Sequence, residues 1–321
     1  MARTRYAPDR GLTARMTATM FLLGLVFVAF VAAIIGIGAA YHASSAGIAL
    51  IAIVLAGGFA IGSFFYSDKI ALRTAGAVEV SPNDGEMARK LHGIVDRVCA
   101  LADMPKPRIA IARTDLPNAF ATGRNADKAV LCVTTGLMSK LENDAELEGV
   151  IAHEMSHVAH KDVQVMTIAS FLAIVAALLI RIAFYGELFG GGRGRGGGNN
   201  QNAAIVMLAL MAVSIVVYAV SFLLIRMLSR YRELAADRSG AFLTGQPSAL
   251  KSALVKVTGD IGKIPSRDLR TAEPLNAFFF APAMSLRGGG PSLSSVFSTH
   301  PSLERRLAEL DKVQRQLNQA G

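Results

Sequence analysis

His153, Glu154, Met155, Ser156 and His157 form the pattern H-E-x-x-H. On an α-helix, positions i and i+4 share a face about one turn apart, so both imidazoles can reach one cation while Glu154 leans toward the same site. A tetrahedral Zn²⁺ with one open position needs one further protein ligand. The chemistry such a set performs is hydrolysis, in which the cation polarises a carbonyl and acidifies water and the carboxylate takes the proton. The pentapeptide also arises by chance, so its surroundings decide how it is read.

Those surroundings are helical. In LENDAELEGVIAHEMSHVAH, from Leu141 to His160, the residues Leu147, Val150 and Ile151 sit among good helix formers, and the acidic residues come early, where a helix N-terminus favours them. His160 lies three residues beyond His157, which does not match the spacing of H-E-x-x-H-x-x-G-x-x-H. The third ligand is better sought in RYRELAADRSGA, where Glu233 and Asp237 stand at i and i+4. One of them, with Glu233 preferred, can bind metal while the other holds a ligand histidine through its second ring nitrogen.

The metal motif runs almost at once into apolar chain. Four stretches are long enough to cross about 30 Å of hydrocarbon as helix: Thr17 to Ala40, Ala46 to Tyr66, Val163 to Tyr185 and Ala203 to Ile225. The first exceeds a signal-peptide core and is read as a span. The stretch from Gly149 to Ile180 reads as one nearly continuous helix. Val163 follows His157 by six residues, about 9 Å of helical rise, so the metal is expected close to the membrane surface.

Orientation follows from basic residues at the span ends. Arg3, Arg5, Arg10 and Arg15, then Lys69 and Arg73, then Lys161, then Arg226, Arg230, Arg232 and Arg238 all share one side if both termini are cytoplasmic. The opposite side then holds YHASS and the loop 186–202, whose basic residues are Arg193 and Arg195, while Arg181 near the end of span three can snorkel outward. That Gly/Arg-rich loop is read as a flexible connector between spans, not as a nucleic-acid segment.

With 52% hydrophobic and 18% charged residues, the chain is too apolar for an ordinary soluble domain and too charged for membrane helices alone. The expected organisation is an N-tail over 1–16, a transmembrane hairpin over 17–66, polar chain over 67–162, a second hairpin over 163–225, and polar chain over 226–321. The two polar regions are expected to fold together. Within the first, Leu91, Ile94, Val95, Val98 and Leu101 repeat at helical spacing, whereas RIAIAR, NAFATG and KAVLCVTT read as a small sheet with a hairpin. Cys99 and Cys132 match no ligand spacing and are read as buried small hydrophobes. The spans show no ionisable pair at mid-depth, which argues against a transporter, and no phosphate-binding loop appears.

Taken together, PNAFATG, TTGLM, LENDAELEGVIAHEMSHVAHKD, RELAAD and STHPSLERRLAEL resemble the HtpX-type membrane zinc endopeptidases, relatives of the enzymes that trim prenylated C-a-a-X proteins. The resemblance covers most of the chain. It implies an α+β membrane protein: four transmembrane helices plus a cytoplasmic, mainly helical, zincin-like metalloprotease domain with a small antiparallel or mixed sheet. It implies one Zn²⁺ held by His153, His157 and Glu233, Glu154 as general base, and Asp237 as support for the ligands. It gives PNAFATG the role of an edge strand that pairs with substrate backbone through Asn118 and Ala119. It points to His300 and Arg306 as donors to the tetrahedral oxyanion, although Pro301 also suits a simple helix start. Implied partners are the lipid bilayer and membrane-protein or unfolded polypeptide substrates, with no nucleic acid. Cooperation with an ATP-dependent membrane protease would supply unfolding. The implied setting is quality control at a bacterial plasma membrane, with prenyl-protein processing or a non-catalytic scaffold as the alternatives.

Overall fold

A computed structural model describes residues 10–40, 45–141, 143–190, 199–261 and 300–320. The loop residues 191–198, most of YHASS, and Arg3 and Arg5 lie outside the described residues. The chain divides into two compact units.

The first unit comprises Met16–Ser63 and Val165–Leu228. Its elements are parts of α1 (Arg10–Ala40), α2 (Ser45–Phe65), α7 (Asp162–Gly190) and α8 (Asn199–Thr244). Phe30, Ile34, Ala52, Ala56, Val175 and Ala176 bury between helices, while Phe21, Val28, Phe59 and Ile168 face outward. Alanines at the contact let backbones approach closely where lipid offers no hydrophobic drive between helices. Among the described residues, three helices are long and apolar enough on their own to cross a membrane: Arg10–Ile37, Asp162–Tyr185 and Ala204–Thr244. In the expected second span, Leu50–Phe65 passes together with α3 (Ser67–Ala75), from which it is bent by 69°, so the described residues hold three such helices, or up to four if that pair is one span.

The second unit holds the described parts of Met1–Arg15, Phe64–Gln164 and Ser229–Gly321. A mixed four-stranded sheet runs in the order β1 (Ala77–Glu79), β2 (Arg108–Ala112), β4 (Val130–Thr134), β3 (Ala119–Thr122). The β2–β4 pair is parallel, and the other two pairs are antiparallel. Strand β4 is buried at every residue, which explains why VLCV runs apolar without alternation. One face of the sheet is covered by α4 (Glu86–Ala102), whose Leu91, Ile94, Val95 and Val98 join Leu131 and Val133. The same core takes in α6 (Asp144–Ala159), α9 (Pro247–Ile261) and α10 (Leu303–Ala320) through residues such as Ile151, Leu254 and Leu310. The other face packs Ala110, Phe120 and Cys132 against Ala71 of α3. A short helix, α5 (Thr135–Lys140), follows β4 and is capped by the Thr134 hydroxyl.

Helix α6 begins where its sequence predicts. The Asn143 carboxamide accepts the Ala145 N–H at 2.9 Å, and Asp144 and Glu146 occupy the first turn. It ends sooner than expected. His160 caps it, Lys161 takes a left-handed φ of 56°, and α7 starts afresh at Asp162. The nearly continuous helix expected from Gly149 to Ile180 is therefore two helices joined by a tight corner.

Candidate metal centre

Three elements deliver the polar cluster. His153, Glu154 and His157 come from α6, Glu233 and Asp237 from α8, Arg306 from the first turn of α10, and His300 from the chain just before it. Ligand atoms of His153, His157 and Glu233 all lie within 4.8 Å of one another. His153 Nε2 is 3.7 Å from Glu233 Oε2, and His157 Nε2 is 3.6 Å from Glu233 Oε1. The two imidazole rings stand nearly perpendicular, at 87°. Two imidazole nitrogens and a carboxylate that converge on one point form a donor set suited to a borderline-soft divalent cation.

What brings α8 this close is Gly240. A Cβ there would lie 2.9 Å from the backbone nitrogen of His153 and 3.1 Å from the Ala152 carbonyl carbon. The missing side chain thus sets α8 against α6 directly behind the first histidine of the motif.

Each ligand histidine is gripped from behind. His153 Nδ1 is 2.9 Å from Asp237 Oδ1, and Asp237 in turn receives Arg306 Nε at 2.7 Å and Nη2 at 2.6 Å. Asp237 and Arg306 are both fully buried. His157 Nδ1 is 2.5 Å from Asp162 Oδ2, which also receives Arg232 Nη2 at 2.7 Å. Burial acting alone would lower the His153 pKa, but hydrogen bonds to Asp237 and Glu233 outweigh it and raise the metal-free value to about 9.

Glu154 is buried beside the cluster, and burial pushes its carboxyl above the ordinary range, partly offset by the neighbouring histidines. Its Oε2 accepts the N–H of Ala121 at 3.2 Å. That contact ties the acid to β3, an edge strand of the sheet. Asn118 turns its backbone toward β4: its N–H donates to Thr134 Oγ1 at 2.9 Å and its carbonyl accepts the Thr134 N–H at 2.9 Å. Antiparallel alternation then turns the N–H and C=O groups of Ala119 and Ala121 away from β4, with Ala119 itself buried. Of the two residues expected on that edge, both are buried; Ala119 turns its backbone away from β4 and Asn118 anchors the strand.

His300 Nδ1 lies 3.0 Å from Glu233 Oε2. Arg306, expected beside it as an oxyanion donor, spends two of its nitrogens on Asp237. Sequence reasoning passed over Asp162 and Arg232 as members of the cluster, and also Gly240. The one legible signal was Gly240 within RYRELAADRSGA, a glycine inside a helix that loses stability for no local gain.

Comparison with known proteins agrees with this geometry. The model for peptidase family M48 matches residues 86–314. The protein is 52% identical to Protease HtpX homolog 1 of Streptomyces coelicolor over 318 residues, which covers 99% of this chain and 98% of that one. It is 48% identical to the Protease HtpX homolog of Moorella thermoacetica, covering 99% of both. Among solved structures, S. mikatae Ste24p superposes with a TM-score of 0.51 at 18% identity, over 94% of this chain and 67% of that one, a likeness of fold. A match over most of the chain, near-full-length relatives at about half identity and a His/His/Glu cluster make this protein a member of peptidase family M48, a membrane metalloendopeptidase.

Proposed function

We propose that the metal is Zn²⁺, one per chain, held by His153, His157 and Glu233, and that the enzyme cleaves damaged or unfolded membrane proteins from the cytoplasmic face of a bacterial plasma membrane. The observation that carries the reading is the convergence of the three ligand atoms within 4.8 Å of one another, with Glu154 alongside and bonded to an edge strand. The donor set fits a catalytic zinc site, which keeps three protein ligands and one open position. When bound, the ion supplies Lewis acidity toward the scissile carbonyl and lowers the pKa of water to about 7.

The chain's own groups do the rest. The N–H and C=O of Ala119, turned away from β4, add the substrate as a further strand beside β3, gripping backbone without reading much sequence, while Asn118 holds that strand in place. Ala121 cannot extend this pairing through its N–H, because Glu154 takes it, so strand addition stops where the acid begins. Glu154 accepts a proton from the attacking water and delivers it to the leaving amine. His300, beside Glu233, donates to the oxyanion. Arg306 acts through Asp237 and His153 instead of on the substrate. Unfolding is left to a separate ATP-dependent membrane protease.

Replacing the proton acceptor while keeping its shape separates these roles. Glu154→Gln should retain zinc by metal analysis of the purified protein and lose casein cleavage. Glu233→Gln should lose zinc. Undiminished proteolysis by Glu154→Gln would remove the assignment. The substrate class is tested by comparing membrane-protein fragments in cells carrying the active and Glu154→Gln forms. Identical fragment patterns would count against it.

A further inference from the structure

His157 depends on a residue that no helical spacing would have brought to it. Asp162 lies five positions further along, which on a continuous helix is about 140° round the axis from His157. The corner at His160 and Lys161 removes that obstacle, because it restarts the chain as α7 with Asp162 as its first residue. The carboxylate then lies against His157, 2.5 Å from Nδ1, and is itself 3% exposed.

We propose that Asp162, clamped by Arg232, is a positioning residue for His157 that sets how tightly the site holds its metal; the proposal rests on the reading of His157 as a ligand. A carboxylate on Nδ1 makes that nitrogen the proton-bearing one and leaves the Nε2 lone pair for a cation. Nε2 is the atom that faces Glu233, at 3.6 Å. The contacts close into a ring. His157 meets Asp162, Asp162 meets Arg232, and Arg232 is the chain neighbour of Glu233, which returns to His157. One ligand's support is thereby anchored on the residue next to another ligand.

A purely structural aspartate at a helix start would spend its oxygens on the free N–H groups of the first turn. Here Oδ2 serves both His157 and Arg232, and Oδ1 has no hydrogen-bond partner among the described residues. The carboxylate is therefore aimed at the imidazole and not at the helix it begins.

The test uses the purified full-length protein in detergent, with zinc affinity measured by competition against a chromophoric chelator. Asp162→Ala should bind zinc about 10- to 100-fold more weakly, the usual cost of losing a carboxylate behind a ligand histidine. Asp162→Asn keeps an acceptor for Nδ1–H and should recover part of that loss. Thermal melting of the metal-free forms provides the control. A fall in melting temperature with wild-type zinc affinity would mean that Asp162 only holds the corner, and would overturn the proposal. If Asp162→Ala does not fold, Asp162→Asn and Arg232→Met make the same comparison, and both should weaken zinc. Glu233→Gln is measured alongside. If it too keeps full affinity, the metal-site reading itself is wrong. If it loses zinc while the Asp162 and Arg232 variants do not, only the present inference falls.

Discussion

At the scale of single residues, the cluster is a set of charges that would be costly to bury singly and are tolerable only in pairs. Arg306 is among the largest fully buried side chains, and Asp237 accepts two of its nitrogens. Removing one partner leaves the other charge uncompensated, at a typical cost of about 3–5 kcal/mol. Arg306→Met should therefore destabilise the protein by about that amount in equilibrium unfolding and, through Asp237 and His153, also weaken zinc. A direct oxyanion donor would instead lower kcat with stability and zinc affinity intact, so kinetics and melting together decide between the two roles. The residues that do chemistry were readable because their spacing is local: His153 and His157 share a face by arithmetic, as do Glu233 and Asp237. Asp162 was not readable because its contact depends on a left-handed Lys161, a conformation that no residue type at that position announces.

Elements carry the site's precision, and the decisive one is the crossing of α8 over α6. With the backbone of His153 2.9 Å from where a Gly240 side chain would begin, Gly240→Ala must push the helices apart or bend one of them. Overpacking of this kind costs about 1–3 kcal/mol. Here it also moves Glu233 and Asp237 relative to His153. The same substitution at Gly93, an exposed position within α4 with nothing near its would-be Cβ, should stabilise by about 0.5–1 kcal/mol because alanine favours helix. Opposite signs in melting temperature, with zinc affinity reduced only in Gly240→Ala, are the expected result. Equal effects at the two sites would deny the crossing its role. The elements themselves were legible wherever a period was strong, as in α4 or in the hairpin of β3 and β4. Strand β1 was not, since three residues with little burial carry no alternation. The bend between α2 and α3 was hidden as well, because the apolar run continues through it to Tyr66 while the helix axis turns at that residue.

For the molecule as a whole, the proposed function places the polar unit on the cytoplasmic side of the membrane. The proposed orientation rests on the basic residues at the span ends, with only Arg193 and Arg195 in the connection opposite. The chain's two native cysteines make this directly testable, because neither is expected to react. Cys99 and Cys132 are both buried, and burial pushes their thiols up to about 11 and about 12. Near neutral pH the nucleophilic thiolate is then a negligible fraction, and it would grow only as pH rises toward those values. A membrane-impermeant maleimide should therefore leave the wild-type protein unlabelled in intact cells and in opened vesicles, and label it only after denaturation. Against that silent background, Thr74→Cys, an exposed position in α3, should react only once the cytoplasmic face is opened. Gly197→Cys, in the Gly/Arg-rich connection, should react in intact cells. The reverse pattern would invert the topology and move the proposed site to the other side of the membrane. Labelling of the wild-type protein before denaturation would instead show that at least one of the two cysteines is open to solvent.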